Sequence, residues 1–399
     1  MKCVGIQAYG GSLTLAATNA GLTPIAQLES EKEYHRIAAR FFDERLVILD
    51  QDHKWDEAMQ WLESESIDIV YGQPVWKTGN AVNNYVSTKQ DVDDMFDACK
   101  RLLPRAIIMA APWRARKQIK DRVTQSLGQY HWVFIRTNAL LHGLPQDKDV
   151  MFVMGFKHIE NYASALSDIP KLAPKDFNDI SDIPKLWDNI SYLADIDPVA
   201  NGSKSDGVFI KDDNILISSH VLPGKKKSVL SRILWESIPI LKEGQTFGDV
   251  EDRPAVFHEK GGYDYFLKGQ LPIRFHRDLP ATSIYAVERY IHPDLDRPLS
   301  LRELAGLYGV PTNFDLGTYF GPGLSVLGKF TPIPAGEWVF NTIKHILSNT
   351  DKNEDCGDIG ANPEFDLFTK GSRDVLSQLK KNHGKWVDAY AKKIVKKEI

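Results

Sequence analysis

The stretch that begins at Ile67 constrains the fold of this chain more than any other part of the sequence. Ile67, Ile69 and Val70 are typical of a strand that is buried on both faces of a parallel sheet. Gly72 and Pro74 end this strand and begin a polar loop. Open α/β sheets carry their binding and catalytic residues in loops at the carboxyl ends of such strands. We therefore expect a functional site in the loop around Pro74.

The first 155 residues alternate short apolar segments with helix-forming segments. Strands are predicted at 4–6, 24–28, 46–49, 67–70, 104–112, 132–135 and 150–154. The segments between the first five of these carry helical periodicity. This alternation predicts an α/β fold with a doubly wound, mainly parallel sheet.

The composition and the periodicity of the sequence change after Phe156. Scattered Asp and Asn residues and few periodic runs predict a second, smaller and more irregular lobe. The predicted boundaries are 1–155 for the first lobe, 156–325 for the second lobe, 326–350 for a helix that returns to the first lobe, and 351–399 for a linker and a basic C-terminal helix. The helix of the tail rests on the helical spacing of Trp386, Tyr390 and Ile394 among lysines.

Composition limits the classes of function. A formal net charge of −4 provides no global attraction to nucleic acid, so any such binding must come from local basic patches. Cys3, Cys99 and Cys356 show no CxxC spacing, which argues against a disulfide framework and against a metal site. The chain shows no signal-peptide core and no membrane-spanning run, so we expect an intracellular protein of the cytoplasm, nucleoid or nucleus, without membrane contact.

Two basic runs and one loop lysine are candidates for binding phosphate groups. They comprise Lys77 in the polar loop, Arg114, Arg116, Lys117 and Lys120 directly after the fifth strand, and Lys225, Lys226 and Lys227 in the second lobe. Each basic run, taken alone, is explained as part of a solvated protein surface. Their placement together favours contacts with the backbone of duplex DNA.

The chain resembles the DNA cytosine-5 methyltransferases from end to end. The longest match covers residues 273–311 and resembles the ninth motif of that family, in which a basic segment joins the target-recognition lobe to the catalytic lobe. Residues 132–155 resemble the eighth motif, and residues 13–21 and 28–31 resemble the first and second motifs. The resemblance implies S-adenosylmethionine as cofactor and a target-recognition role for the second lobe.

The residues that perform the reaction of that family are replaced in this chain. The family uses a cysteine thiolate, a glutamate and arginines around a flipped cytosine. The Pro-Cys pair of the family is Pro74-Val75 here, and the Glu-Asn-Val triplet is Ala110-Ala111-Pro112. The arginines that follow the glutamine of the eighth motif are replaced by Lys148 and Val150 after Gln146. Nucleophile, acid and pocket arginines are thus lost together.

The motifs that bind the cofactor also depart from the family. The pattern Phe-x-Gly-x-Gly becomes Gln7-Ala-Tyr-Gly-Gly11, so that Gly10 and Gly11 remain but Tyr9 stands where a glycine would allow close approach. The side chain of Tyr9 could fill the space of the cofactor. Glu29 and Asp50 have two interpretations, as contacts to adenosine or as acids that cap helices at strand ends. Thr331 begins the segment that replaces the tenth motif.

Three hypotheses for function remain. The first is a pseudoenzyme of the cytosine-5 methyltransferase fold that binds duplex DNA or regulates a partner protein, such as an active methyltransferase. The second is an enzyme that modifies a flipped cytosine without a thiol, with Lys77, Gln146, Asp147 and Lys148 as its polar groups. The third is an active methyltransferase, which would need a Pro-Cys pair that the sequence does not contain.

Overall fold

The computed structural model describes residues 1–43, 47–49, 54–74, 89–157, 166, 168–202, 209–211, 215–225, 229–250, 272–284, 288–349 and 363–382. The chain forms two compact units. The first unit contains residues 1–142, 149–175 and 329–369, and the second contains 143–148, 176–328 and 370–399. The lobe boundaries drawn from the sequence stay predictions.

The strands of the described residues are short, as expected for a sheet covered by helices. In chain order they are β1 Lys2–Ile6, β2 Thr23–Glu29, β3 Val47–Leu49, β4 Ile69–Gly72, β5 Ala106–Ala111, β6 Tyr130–Asn138, β7 Gln146–Asp147, β8 Asp149–Lys157, β9 Phe209–Lys211, β10 Ile215–Ile217, β11 Ile273–Arg274, β12 Ala281–Thr282, β13 Tyr290–Ile291 and β14 Glu364–Asp366.

The α-helices of the described residues follow the predicted alternation in the first unit. They are α1 Ser12–Asn19, α2 Lys32–Phe41, α3 Lys54–Glu63, α4 Lys89–Leu102, α5 Arg116–Ser126, α6 Ile169–Leu172, α7 Leu186–Ile190, α8 Val229–Ser237, α9 Leu301–Gly306, α10 Phe320–Leu327, α11 Ile333–Ser348 and α12 Lys370–Asn382.

The first unit is built on one mainly parallel sheet. The order of its strands is β14-β6-β8-β5-β4-β1-β2-β3. Strand β8 runs antiparallel to both of its neighbours, and the other pairs are parallel. The predicted doubly wound α/β fold is therefore confirmed.

Strand β4 can lie close to β1 because Gly72 has no side chain. A Cβ at Gly72 would lie 2.1 Å from the carbonyl oxygen of Ile6 and 3.1 Å from the sulfur of Met95. The hydroxyl of Tyr71, one residue earlier, donates a hydrogen bond of 2.9 Å to Thr14 Oγ1 in α1. The carboxyl end of β4 is thus held against the turn that follows β1.

Helix α11 packs on α1 within the first unit. A Cβ at Gly336 would lie 2.8 Å from the Cβ of Ala16, which shows how closely the two helices approach. The ammonium of Lys344 donates to the carbonyl oxygen of Ala20, where the unpaired carbonyl groups at the end of α1 favour a cation.

The segment predicted as a linker contains a strand. Strand β14 pairs in parallel with β6, with Phe365 opposite Ile135. Three residues are too few to show a strand periodicity, so the pairing depends on the exposed edge of β6 and not on the local sequence. The described part of the C-terminal helix begins at Lys370, and the aromatic positions predicted for the tail lie outside the described residues.

The segment that resembles the ninth motif forms the buried polar core of the second unit. The guanidinium of Arg297 donates to both carboxylate oxygens of Glu303, at 2.8 and 2.7 Å. Ser300 and Glu303 form a capping box at the start of α9. Burial alone would raise the pKa of Glu303, but the hydrogen bonds and charge of Arg297 outweigh it and hold the pKa below its usual range. This network explains structurally why the segment has its pattern of charges.

Arg302 is buried without a carboxylate partner at hydrogen-bond distance among the described residues. Its guanidinium donates to the carbonyl oxygens of Ser218 at 2.7 Å and Pro311 at 2.6 Å, and to that of Phe314. Because the planar guanidinium presents several donors, this one side chain joins its own helix to residue 218 and to the segment 311–314.

Within the described residues, no helix combines the length and the apolar character needed to cross a membrane.

We expect the Arg297→Met variant to lower the free energy of unfolding by about 3–5 kcal/mol, because it leaves the carboxylate of Glu303 buried without its cation. The loss should be largest near neutral pH and should shrink as the pH falls, because without Arg297 burial raises the pKa of Glu303 in the variant and protonation then removes the uncompensated charge. Urea unfolding at several pH values measures this. The matched control is Arg232→Met, which removes a half-exposed pair with Glu236 and should leave the transition midpoint almost unchanged.

Candidate functional site

The carboxyl ends of β1, β2, β4 and β5 lie at one edge of the sheet. The backbone N–H of Gly10, in the turn after β1, donates to Glu29 Oε1 at the end of β2, at 3.2 Å. The amide Nε2 of Gln73, after β4, donates to the carbonyl oxygen of Ala8 at 3.2 Å. Strands β4 and β5 are paired, with Gly72 opposite Met109. The structure thus brings together the ends of the four strands on which the sequence predicts candidate site residues.

The loop after β4 is tied to a neighbouring segment by buried hydrogen bonds. The hydroxyl of Thr331 donates to Gln73 Oε1, and its backbone N–H donates to Ser12 Oγ at 3.1 Å. Gln73 and Pro74 are both buried. Val75 and Lys77 lie outside the described residues. The side-chain amide of Gln73 therefore bonds both to Thr331 and to the turn after β1.

The end of β5 carries no ionisable side chain. Ala110 and Ala111 are both buried, and Ala110 pairs with Phe152 on the antiparallel strand β8. A methyl group can neither donate nor accept a proton, so this position supplies no acid to a substrate ring.

The two described cysteines are buried thiols remote from the carboxyl edge. Cys3 lies near the amino end of β1, and burial raises the pKa of its thiol to about 12. Cys99 lies late in α4, and burial raises the pKa of its thiol as well. Nucleophilic attack requires the thiolate, so neither residue replaces a catalytic cysteine. Cys356 lies outside the described residues.

The turn between β1 and α1 has an unusual backbone. Gln7 and Tyr9 have φ angles of 53° and 45°, and Gly10 and Gly11 have φ angles of 82° and 100°. A left-handed conformation is disfavoured for residues with a side chain, so the turn holds two residues under strain. The hydroxyl of Tyr9 donates to Asp91 Oδ2 in the first turn of α4, at 2.6 Å.

Glu29 is fully buried at the end of β2. Its Oε1 accepts from the Gly10 N–H and from Gln27 Nε2 at 2.5 Å, and no hydrogen-bond partner for Oε2 is found in the described part of the chain. Burial raises the pKa of Glu29 to about 8, although the hydrogen bonds from Gln27 and Gly10 act in the opposite direction. Asp50, its proposed companion, lies outside the described residues.

The residues of this edge do not fit S-adenosylmethionine as they stand. The positive φ angles of the two glycines and an acid at the end of β2 are the arrangement in which such folds bind a nucleoside. However, residues 7–12 are buried in the folded chain, and so is Glu29. The side chain of Tyr9 extends from the turn to Asp91 in the first turn of α4.

Of the segment that resembles the eighth motif, residues 143–148 belong to the second unit. Strand β7 pairs with β12, with Gln146 opposite Ala281. The ammonium of Lys148 lies 3.1 Å from the hydroxyl of Tyr308 and 4.3 Å from the centre of its ring. Burial lowers the pKa of Lys148 to about 7. The side chain of Gln146 is fully buried, and neither amide atom has a hydrogen-bond partner within the described residues. Nothing in the local sequence pointed to Tyr308, 160 residues away.

The basic residues after β5 divide into two groups. Arg116 and Lys120 form ion pairs with Glu364 of β14, at 3.4 and 3.7 Å. Arg114 and Lys117 are exposed, and no ion pair joins either of them to another described residue. The sequence did not reveal this division, because Glu364 falls in the segment that was predicted to be a linker.

In the second unit, Lys225 is exposed and its ammonium lies 4.7 Å from the ring centre of Trp235. Lys226 and Lys227 lie outside the described residues. Among the described residues, no group of three or more His, Cys, Asp or Glu side chains could hold a metal ion.

Comparison with known proteins relates this architecture to methyltransferases. No protein-family model and no curated protein sequence matches the chain. A crystal structure of a DNA modification methyltransferase encoded within an E. coli prophage superposes with a TM-score of 0.65 at 16% identity, over 87% of this chain and 99% of that one. The S. pombe Dnmt2 methyltransferase superposes with a TM-score of 0.51 at 10% identity, over 88% of this chain and 100% of that one.

We expect Glu29→Gln to stabilise the protein at neutral and alkaline pH. The folded-state pKa of about 8 lies above that of the unfolded chain, so stability falls as the pH rises through this interval. The amide carries no charge and removes this loss, with a gain on the order of 2 kcal/mol at pH 8, after the cost of one buried unpaired amide donor. Thermal unfolding between pH 5 and pH 9 measures the slope.

The matched control is Glu31→Gln, an exposed acid two residues later, which should keep the wild-type slope. Equal slopes for wild type and Glu29→Gln would show that Glu29 is ionised in the folded protein at neutral pH.

Three observations agree on the fold. They are the order of the strands, the antiparallel strand β8, and the likeness to two methyltransferases over most of their length. The chain has the methyltransferase fold of these two structures.

Proposed function

We propose that this protein binds duplex DNA on a methyltransferase fold without transferring methyl groups, or regulates a partner protein such as an active methyltransferase. The observation that supports the proposal most strongly is the chemistry of the strand ends. Val75 follows Pro74 where the resembling family carries its thiol, and Ala110 and Ala111 end β5 where it carries its acid.

The missing groups cannot be replaced by their described neighbours. Transfer of a methyl group to cytosine C5 requires a nucleophile at C6 and an acid at N3. Cys3 and Cys99 are buried and protonated, and Glu29 bonds to the turn of its own sheet edge. Losing both functions removes the means of activating the ring.

Binding of DNA is supported by exposed positive charge at the same sheet edge. Arg114 and Lys117 lie just after β5 and are exposed to solvent. Side chains of this kind contact phosphate groups, and the release of counterions makes such binding weaken steeply with salt. The prophage protein with the same fold is described as a DNA modification methyltransferase, which agrees with a nucleic-acid ligand.

We expect the double variant Arg114→Ala/Lys117→Ala to weaken binding to duplex DNA and to reduce the slope of log K against log salt by about 2, one unit for each lost phosphate contact. Electrophoretic mobility shifts over a series of salt concentrations measure both quantities. The matched control is Lys120→Ala. The ammonium of Lys120 is paired with Glu364, whose negative charge partly offsets it, so its loss should change DNA binding less.

Absence of any shift with the wild-type protein at low salt would contradict DNA binding. The regulatory form of the proposal would then be the one to pursue, by searching for a protein partner.

A second candidate function is favoured by one observation. Lys148 has a pKa lowered to about 7 by burial, and its amine lies beside the hydroxyl of Tyr308. A neutral lysine amine can act as a nucleophile or a base near neutral pH. The protein would then modify a flipped cytosine by chemistry that needs no thiol, with Gln146 and Asp147 as further polar groups of the site.

Mass spectrometry of nucleosides distinguishes these functions. DNA incubated with the wild-type protein and S-adenosylmethionine should contain no new modified nucleoside. A new nucleoside that disappears with Lys148→Met, and persists with the exposed control Lys242→Met, would establish the second function instead. Appearance of 5-methylcytosine that persists with Lys148→Met would contradict both proposals.

A further inference from the structure

The turn after β1 is covered by side chains of the first unit itself. Tyr9 is the centre of this cover, with only 3% of its surface exposed. Its φ of 45° lies in the left-handed region, which glycine adopts without strain but which strains the backbone of a tyrosine. A strained residue persists only if the surroundings hold it, so the contacts of the Tyr9 ring must offset the strain.

Three elements hold the Tyr9 side chain. Its hydroxyl donates to Asp91 in the first turn of α4 at 2.6 Å. The ammonium of Lys329 lies 5.5 Å from the centre of its ring, within the range of a cation–π interaction. The ring of Tyr34 from α2 packs edge-on at 5.0 Å. We name Tyr9, Asp91 and Lys329 the tyrosine lock.

A second aromatic ring covers the glycines of the turn. A Cβ placed on Gly11 would lie 2.3 Å from a ring carbon of Phe42, so the ring rests directly on the backbone of this residue. In nucleotide-binding turns a glycine serves to let the ligand approach the backbone. Here the absence of a side chain at Gly11 accommodates Phe42.

The carboxyl group of Glu29, at the end of β2, accepts hydrogen bonds from other residues of the protein. Its Oε1 accepts from Gly10 and Gln27, where a bound nucleoside would place its ribose hydroxyls. The residue has no exposed surface. Burial raises the pKa of Glu29 to about 8, and a protonated carboxyl group is a weaker acceptor than a carboxylate for a ribose hydroxyl.

We infer that the tyrosine lock and Phe42 occupy the cofactor position of this fold, so that the chain excludes S-adenosylmethionine, and that Tyr9 is the residue chiefly responsible. The inference depends on the methyltransferase fold and on the contacts of the first unit. It is independent of whether the protein binds DNA.

Isothermal titration calorimetry of the full chain with S-adenosylhomocysteine, the stable demethylated form of the cofactor, tests the inference. The wild-type protein should give no saturable heat. The Tyr9→Gly variant should bind with a stoichiometry of one and at least about tenfold more tightly than any residual wild-type binding. Glycine suits the left-handed φ at this position, so the strain removed offsets part of the lost ring contacts.

Two further variants separate steric exclusion from loss of fold. Tyr9→Phe keeps the ring but removes the hydrogen bond to Asp91, and it should bind no more ligand than the wild type. If Tyr9→Gly does not fold, as judged by circular dichroism, Tyr9→Asn replaces it, because asparagine tolerates the left-handed region and leaves the same space open.

Saturable binding of one S-adenosylhomocysteine by the wild-type protein would overturn the inference. Folded Tyr9→Gly or Tyr9→Asn without binding would overturn the role of Tyr9. Neither result bears on the mobility shift with DNA, so a failure of the proposed function remains distinguishable from a failure here.

Discussion

The close approach of β4 to β1 at Gly72 is the constraint on which the candidate site depends. Any side chain at this position would collide with the backbone of Ile6. Because the two strands approach so closely, Gln73 reaches the carbonyl oxygen of Ala8 and binds Thr331 as well. The loop that would carry a nucleophile therefore leaves the sheet from a fixed point, directly beside the turn after β1.

The polar groups around this point bond to the protein itself. Tyr9 bonds to Asp91, Gln73 to Thr331, and Glu29 to the turn that includes Gly10. In a site built to bind a ligand, polar groups are aimed at the position that the ligand will occupy. These groups are therefore paired within the protein, beside the apolar side chain of Ala110.

Much of the fold could be predicted because its signals are local. The alternation of apolar runs and helical segments predicted the parallel sheet, and β1, β2, β4 and β5 lie within two residues of their predicted ends. Strand β14 could not be predicted, since three residues pair with β6 more than 200 positions away. The same limit applies to Arg116 and Lys120, whose partner Glu364 is distant in sequence and decides how much of their charge is available to DNA.

The sequence by itself determined which chemical groups are present. It contains no Pro-Cys pair and has a tyrosine in the glycine turn, and its resemblance to a known family predicts Val75 and Ala110 at the positions of the nucleophile and the acid. Only the tertiary structure decided what these substitutions do. The hydrogen bond from Tyr9 to Asp91 joins residues 82 positions apart, and the raised pKa of Glu29 results from burial. Both depend on which segments the fold brings together, and neither burial nor long-range contact is encoded in the residues next to them.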